Sequence, residues 1–240
     1  MPSVVFGCGD VGRRIVKYLV QNGASLDSIH AYVSSVDSAE LCARLGVIAQ
    51  RVDLDNLTRD LSLCEGREIY YTVPPQKTGT ADERSQTLTS VLSVSEIKPK
   101  KVVVISTTGV YGDHDGEWVD ETTPTTPQTD RGKRRLDSEQ TWLAWGKSEK
   151  VPVVILRVPG IYAYSRLPVE RLKKRIPVVK AQECGYTNRI HADDLAMVCV
   201  VAMYHADAGE IFNVTDGTPG KISEYLQICL LYTSPSPRDS

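Results

Sequence analysis

The sequence has 240 residues, 41% of them hydrophobic and 24% charged, and its formal net charge is -2. A chain of this size and composition can bury a complete core, as one large domain or as one domain with a small appendage, and is typical of a globular protein. The net charge provides no basic surface for a nucleic acid, so we do not expect a nucleic acid partner. No apolar run approaches the roughly 18 residues of a membrane span, so we expect no membrane insertion and a cytoplasmic location.

The six cysteines form no C-x-x-C pair and no Cys/His cluster. Their spacing therefore predicts neither a disulfide framework nor a metal site, and buried thiols are the expected state. The N-terminus enters a strand directly, without the charged segment and cleavage site of a secretion signal.

Short apolar runs and helical periodicities alternate along the first 157 residues. A strand at 4–6 is followed by a glycine turn and by apolar residues at helical spacing, Ile15, Val16, Leu19 and Val20. Further strands are predicted at 28–33, 47–52, 68–73, 101–106 and 153–157, and helices at 39–45, 82–97 and 132–145. This alternation predicts an α/β fold, a Rossmann-type doubly wound parallel sheet.

Beyond residue 157 the periodicity weakens, because Pro159, Pro168 and Pro177 divide this part into loops and short elements. We expect residues 1–157 to form a dinucleotide-binding core and residues 158–228 to supply the remaining core elements and a small substrate lobe. The last twelve residues, 229–240, match the translation of a transposase-based sequencing adapter, and we expect read-through rather than native sequence, the alternative being a disordered Ser/Pro-rich tail. On that interpretation the natural chain continues past Ile228 and the substrate lobe is truncated.

The most informative motif lies between the first strand and the first helix: Gly7-Cys8-Gly9-Asp10-Val11-Gly12. In such a unit the first glycine permits the tight turn, the second lets the backbone approach a pyrophosphate, and the third lets the helix pack closely on the strand. Phosphates then bind at the helix N-terminus, where unpaired N–H groups favour negative charge. We predict that the pyrophosphate of NAD or NADP is bound by Gly7, Gly9, Asp10, Val11 and Gly12, the alternative being a merely structural turn.

Residues after the later strands complete the predicted cofactor site. At the end of the second strand, where an acidic residue would bind the ribose 2′-OH, the chain has Ser34-Ser35, with Asp37 slightly late. The serine hydroxyls can donate hydrogen bonds to a 2′-phosphate, and no carboxylate stands at this position to repel it. The sequence therefore favours NADP but leaves NAD open. The adenine and nicotinamide-ribose are expected to pass five residues that fit plain turns nearly as well: Asp53, Leu54, Thr72, Val73 and Pro74.

From residue 106 onward the sequence resembles the extended short-chain dehydrogenase/reductases, the NAD-dependent epimerase/dehydratase family. The matching motifs are Ser106-Thr107-Thr108-Gly109-Val110-Tyr111-Gly112, Glu121 with Pro124, Leu156-Arg157-Val158-Pro159-Gly160-Ile161-Tyr162, and Arg189-Ile190-His191-Ala192-Asp193-Asp194-Leu195-Ala196. The resemblance covers nearly the whole chain to about Ile228. It implies that Thr107 stands at the catalytic Ser or Thr position and that Ser106 and Pro159 border the cofactor.

The chain departs from this family at the catalytic pair Y-x-x-x-K. Arg131 stands at the tyrosine and Arg135 at the lysine, four residues before Glu139. Arginine stays protonated, so it cannot replace tyrosine as a proton donor and acceptor. The chain is therefore similar to an atypical, YeeZ-type member, with Thr107 as hydrogen-bond donor to a substrate carbonyl and Arg135 as ligand of the ribose or a phosphate.

A displaced acid/base is expected near the strand ends. The candidates, each of which also fits packing, are Tyr111, Tyr162, Tyr164, Tyr186 and His191. For His191, which begins a helix, a capping role is favoured over catalysis. Two arginines, Arg157 and Arg166, can clamp an anionic group of the substrate. A solvated basic helix face is expected at Arg171, Lys173, Lys174 and Arg175.

Three functions remain open on these grounds. The first is an NAD(P)-dependent oxidoreductase or epimerase for a small polar or sugar-nucleotide-like substrate. The second is a non-catalytic dinucleotide-binding regulator or sensor, and the third is a structural partner protein with a vestigial glycine turn. The resemblance also implies a homodimer formed through helices 82–97 and 132–145, unless Trp142 and Trp145 belong only to the core.

Overall fold

The computed structural model describes residues 2–57, 61–169, 174 and 182–233. Its strands are β1 (Ser3–Phe6), β2 (Ile29–Val33), β3 (Ile48–Arg51), β4 (Glu68–Tyr71), β5 (Lys101–Thr107), β6 (Val153–Val158), β7 (Gly160–Tyr162), β8 (Tyr186–Thr187), β9 (Arg189–His191), β10 (Ile211–Asn213) and β11 (Gly220–Lys221). Its helices are α1 (Asp10–Gln21), α2 (Val36–Ala43), α3 (Glu83–Val94), α4 (Asp130–Glu149), α5 (Ala192–His205) and α6 (Ile222–Thr233).

Seven strands form one parallel sheet in the order β3-β2-β1-β4-β5-β6-β10. The chain order reverses between β1 and β4, where ligands bind beyond the carboxyl ends of the strands in doubly wound sheets. The predicted Rossmann-type parallel sheet is confirmed. Outside this sheet, β7 pairs with β9 in parallel and β8 with β11 antiparallel.

Both faces of the sheet are covered by helices. In β1, Val5 faces a core shared with α1 and α5, whereas Val4 and Phe6 face a second core shared with α3 and α4. Trp142 and Trp145 of α4 belong to this second core, with side chains 0% and 6% exposed. Their interpretation as core residues is therefore confirmed, and they do not provide the surface of a homodimer.

The element boundaries differ from the sequence prediction where caps extend a helix. Helix α2 starts at residue 36 rather than 39, because Ser35 Oγ accepts a hydrogen bond from the Ser38 amide at 3.2 Å. Helix α4 starts at residue 130 rather than 132, because Thr129 Oγ1 accepts one from the Gly132 amide at 3.1 Å. It ends where Lys150 adopts a left-handed backbone, φ 58°.

The C-terminal part is helical further than the sequence indicated. Helix α6 continues past residue 228 to residue 233, and Cys229, the first residue of the expected adapter segment, is buried. Residues 234–240 lie outside the described residues, as do Arg171, Lys173, Arg175 and Pro177, while Lys174 is exposed. Within the described part of the chain, no helix is long and apolar enough to span a membrane.

Candidate functional site

The three glycines of the turn after β1 differ in their surroundings: Gly7 and Gly12 are crowded, whereas Gly9 faces open space. Gly7 has φ +77°, and a Cβ there would lie 3.0 Å from the backbone nitrogen of Val73. At Gly12 a Cβ would lie 3.0 Å from Cγ1 of Val5, so α1 packs directly on β1. A Cβ at Gly9 would meet nothing nearer than the Gly7 oxygen at 3.7 Å. The turn therefore needs Gly7 and Gly12 to fold, whereas Gly9 keeps the space before α1 clear.

The N-terminus of α1 offers hydrogen-bond donors to this space. Helix α1 begins at Asp10, and its N-cap residue, Gly9, has no side chain to accept a hydrogen bond. The first-turn amides of a helix have no intrahelical acceptor, so they point towards any anion bound there. Thr72, after β4, braces the turn by donating its hydroxyl to the Gly7 carbonyl at 2.8 Å. The open space and the unpaired amides together fit the pyrophosphate of a dinucleotide.

The ends of β2 and β3 provide the next predicted cofactor residues. Ser34 and Ser35 are both exposed, but the Ser35 hydroxyl caps α2. Asp53 accepts hydrogen bonds from the Asp55 amide at 3.0 Å and from Asn56 at 3.3 Å, so its carboxylate organises its own loop. Leu54 is buried in the core. At this edge, Ser34 is therefore the side chain that remains available to a ribose.

Pro74 and Val73 follow β4 and contribute backbone contacts. Pro74 is exposed, and its carbonyl accepts a hydrogen bond from Arg84 at 3.0 Å. The Val73 carbonyl accepts one from Arg135. These contacts place the segment after β4 between the glycine turn and α4.

Helix α4 carries Arg135 to the carboxyl ends of the central strands. Its Nη1 donates to the carbonyls of Val73 and Ile105, each at 3.2 Å, and so joins the end of β5 to the segment after β4. Burial lowers the pKa of the Arg135 guanidinium. The remaining guanidinium N–H groups have no acceptor among the described residues, and Arg135 can donate them to a ribose or a phosphate.

Thr107 and Ser106 end β5 and differ in what their hydroxyls do. The Ser106 hydroxyl is buried and donates to Glu139, so it is not offered to a ligand. The Thr107 oxygen accepts a hydrogen bond from the Gly109 amide at 3.2 Å, which leaves its proton free to be donated. Thr107 is therefore the hydroxyl at this strand end that can polarise a carbonyl.

Below Thr107 lies a buried ionic network. Arg157 donates to Glu139 from Nε at 3.2 Å and from Nη2 at 2.9 Å, and its Nη1 donates to the Tyr111 hydroxyl at 3.0 Å. Tyr111 in turn donates to Asn213 at 2.9 Å. Burial opposes the charge of Arg157, but its hydrogen bonds to Glu139 and Tyr111 raise its pKa overall. Arg157, expected as a clamp for a substrate anion, is instead an internal counter-ion.

A cavity of about 930 Å³ opens beyond β5 and β6. Thr107, Arg131 and Pro159 lie in its wall, which brings together one catalytic candidate, the arginine at the tyrosine position and one predicted cofactor neighbour. Among the described residues Arg131 has no carboxylate partner. The wall also contains carboxylates, which accept hydrogen bonds from hydroxyl groups: Asp113, Glu117, Asp120 and Glu121.

The five acid/base candidates divide into two groups. Tyr111 and Tyr186 lie in the cavity wall, but the Tyr111 hydroxyl is already bonded to Arg157 and Asn213. The lining residues do not include Tyr162, Tyr164 or His191. The His191 Nδ1 accepts from the Asp193 amide at 3.3 Å and caps α5, as the sequence favoured. The described residues contain no group of three or more His, Cys, Asp or Glu side chains that could hold a metal ion.

A family model matches residues 4–215, most of the chain, and its description is the NAD-dependent epimerase/dehydratase family. The chain belongs to that family. No protein of curated function matches the sequence.

Several solved structures share this fold. A conserved protein of unknown function from Silicibacter pomeroyi is 28% identical, with a TM-score of 0.76 over 98% of this chain and 79% of its own. A protein named as an NAD-dependent epimerase/dehydratase, from Methylobacillus flagellatus, is 26% identical, with a TM-score of 0.73 over 98% and 83%. UDP-glucuronic acid 4-epimerase from Bacillus cereus, solved with UDP-glucuronic acid and NAD, is 20% identical, with a TM-score of 0.77 over 98% and 84%.

Helix α4 carries Arg131 and Arg135, four residues apart, towards its N-terminal end. Arg131 and Arg135, which the sequence resemblance sets against a tyrosine and a lysine, stand one helical turn apart, and the charge of Arg131 further lowers the pKa of Arg135. Arg135 is bonded at the ends of β4 and β5, whereas Arg131 lines the cavity.

Sequence reasoning missed the part of the cavity wall that follows Gly112, including its two ring-bearing side chains. His114 and Trp118 line the cavity, and the His114 Nε2 lies 3.1 Å from the Tyr111 carbonyl. Both follow the matching motif that ends at Gly112, in a loop without periodicity. The sequence signal that could have identified them is the presence of a histidine and a tryptophan shortly after the Tyr111-Gly112 pair.

Proposed function

We propose that this protein is an NAD(P)-dependent oxidoreductase or epimerase acting on a small polar or sugar-nucleotide-like substrate. The observation that carries the proposal is the cavity containing Thr107 and Arg131, beside the strand ends joined by Arg135. Membership of an NAD-dependent family supports the cofactor class, and the hydroxyl-accepting wall supports a polar substrate. The similar UDP-glucuronic acid 4-epimerase binds such a compound.

The nicotinamide, when bound, would supply or accept a hydride. Thr107 would donate its hydroxyl proton in a hydrogen bond to the carbonyl oxygen of the substrate, and Arg131 would stabilise negative charge on that oxygen. Arg135 would hold the ribose. Arg131 cannot deliver the proton, since a guanidinium remains protonated. The wall contains other side chains of types that can, namely Tyr186, His114 and the carboxylic acids.

The first test is a titration of the protein with NADH and NADPH, followed by nicotinamide fluorescence. Saturable binding is expected for at least one of them, and it should be followed by a screen of carbonyl compounds, alcohols and UDP-sugars for a change in nicotinamide absorbance. Failure of both nucleotides to bind would contradict the proposal.

Replacing Thr107 by valine should lower kcat by about 100-fold, because a hydrogen bond to the developing oxyanion is lost. The Kd of the reduced cofactor should stay within about twofold, since the hydroxyl serves the substrate. Thr218→Val, at an exposed loop position outside the cavity, is the matched control. Undiminished turnover in Thr107→Val would remove Thr107 from the mechanism.

A non-catalytic dinucleotide-binding regulator is the second candidate. Two observations favour it. Arg131 stands at the position of the family's catalytic tyrosine, and the nearby Tyr111 hydroxyl is already bonded to Arg157 and Asn213, so neither side chain directly replaces the usual proton donor. Tight cofactor binding without turnover of any compound in the screen would support it. Steady turnover of one compound would exclude it.

We further propose NADP as the preferred cofactor. Ser34 is exposed at the end of β2 with no hydrogen bond to another described residue, and no carboxylate is bonded to it there. NADPH is expected to bind at least about tenfold more tightly than NADH, because charge-assisted hydrogen bonds to the 2′-phosphate are made only by NADPH. Ser34→Asp should reverse the order by repelling the phosphate. Equal affinities in the unaltered protein would contradict the preference.

A cytoplasmic location and a homodimer remain parts of the proposal. The described cysteines form no disulfide bond, which supports a reducing compartment. The family resemblance suggests that the dimer forms through helices α3 and α4. Sedimentation analysis would distinguish a monomer from a dimer.

A further inference from the structure

An ionic cluster surrounds the N-terminus of α1. The Asp10 carboxylate accepts a hydrogen bond from Arg166 Nε at 2.6 Å and from Arg14 Nε at 3.2 Å. Arg14 also pairs with Asp193 and donates to Ser165 at 3.5 Å. These contacts dock the turn of residues 164–166, which follows β7, onto the start of α1.

Asp10 creates an electrostatic problem for a pyrophosphate at this place. Burial opposes its ionisation, but the hydrogen bonds and charges of Arg166 and Arg14 outweigh this and hold the pKa of Asp10 below its ordinary value. A carboxylate is stabilised at a helix N-terminus, yet it repels a second anion bound to the same first-turn amides. Binding of a doubly charged pyrophosphate beside Gly9 therefore requires cations next to Asp10.

The two arginines are not equally available. Arg14 uses Nε, Nη1 and Nη2 on Asp10, Asp193 and Ser165. Arg166 uses Nε alone, and its two terminal nitrogens have no partner among the described residues. Its side chain is 37% exposed and is carried by a single turn after β7 rather than by a long helix. Arg166 is thus the guanidinium with free donors beside the helix N-terminus.

We propose that Arg166 is a ligand of the cofactor pyrophosphate, its Nε held by Asp10 while its terminal N–H groups donate to phosphate oxygens at the start of α1. This rests on the proposed binding of NAD(P). It assigns Arg166 to the cofactor, whereas the sequence suggested an anionic group of the substrate. The fork of donors in a guanidinium suits phosphate oxygens, and such charge-assisted hydrogen bonds are about twice as strong as neutral ones.

The test compares Arg166→Gln with Lys17→Gln, which removes the same charge from an exposed position further along α1. Arg166→Gln should raise the Kd of the preferred reduced cofactor by about tenfold or more, and Lys17→Gln by less than about twofold. The dependence of Kd on salt concentration should also become shallower in Arg166→Gln. A Kd within about twofold of the unaltered protein would overturn the inference.

Competition by ADP-ribose, which has the pyrophosphate but no nicotinamide, separates a cofactor contact from a substrate contact. Its affinity should fall by the same factor as that of the cofactor in Arg166→Gln, and Arg166→Lys should recover part of it. A loss seen only with the complete cofactor would place Arg166 at the nicotinamide end and overturn the inference. If the unaltered protein binds neither cofactor, it is the proposed function that fails.

Discussion

Gly9→Val is expected to raise the Kd of NADH and NADPH by about 100-fold or more while the protein stays folded. The valine side chain would fill the space in front of the first-turn amides of α1, and the loss of two or more charge-assisted hydrogen bonds to a pyrophosphate accounts for a change of this size. Nicotinamide fluorescence titration measures the change.

The structure explains why folding and binding separate at this position. The Cβ direction at Gly9 is open, since the nearest atom is the Gly7 oxygen at 3.7 Å. Gly12→Ala provides the contrast, because its Cβ would press on Val5 and on the Gly7 carbonyl. Gly12→Ala should therefore lower the Tm, whereas Gly9→Val should leave the Tm within a few degrees. Unaltered cofactor affinity in Gly9→Val would mean that the turn is structural, and the proposed function would fall with it.

The sequence predicted the sheet because its signals are local. Each buried strand is a short apolar run, and the glycine turn has its own spacing, so strand and helix order follow without knowledge of distant contacts. The boundaries of α2 and α4 were less predictable, since the capping residues Ser35 and Thr129 stand outside the apolar pattern. The family motifs were recognisable for the same reason, as each is a continuous stretch of chain.

The roles of the arginines were not predictable, because they depend on pairs distant in sequence. Arg166 meets Asp10 across 156 positions, and only the docking of the turn after β7 brings them together. Arg157 lies opposite Ser106 in the register of β5 and β6, while Glu139 reaches both from α4. Neither the strand register nor the rotation of α4 can be predicted from the charge pattern alone. For this reason Arg157, which is an internal counter-ion, was expected from the sequence to bind the substrate.

Glu139→Gln is expected to destabilise the protein by about 3–5 kcal/mol, the cost of leaving a buried guanidinium without its counter-ion. The side chains of Glu139 and Arg157 are 2% and 5% exposed, so water cannot replace the lost charge. For a chain of this size the Tm should fall by roughly 10 °C. Thermal unfolding and denaturant titration both measure the change.

A surface pair provides the control. Arg84 and Asp55 lie 2.6 Å apart, but their side chains are 24% and 45% exposed, so solvent screens the pair and Asp55→Asn should cost less than about 1 kcal/mol. If Glu139→Gln were equally mild, the network beneath Thr107 would not be a determinant of the fold.

The double variant Glu139→Gln/Arg157→Met decides what the ion pair contributes. Removing both charges avoids the uncompensated cation, so the double variant should be more stable than Glu139→Gln alone, even though it loses three hydrogen bonds from Arg157 to Glu139 and one to Tyr111. If the recovered protein binds cofactor normally but turns over substrate poorly, the network also positions the end of β5, because the Tyr111 hydroxyl would lose the Arg157 donor and Ser106 would donate to a neutral amide instead of a carboxylate. If stability and turnover recover equally in the double variant, the network contributes to folding alone and does not position the end of β5.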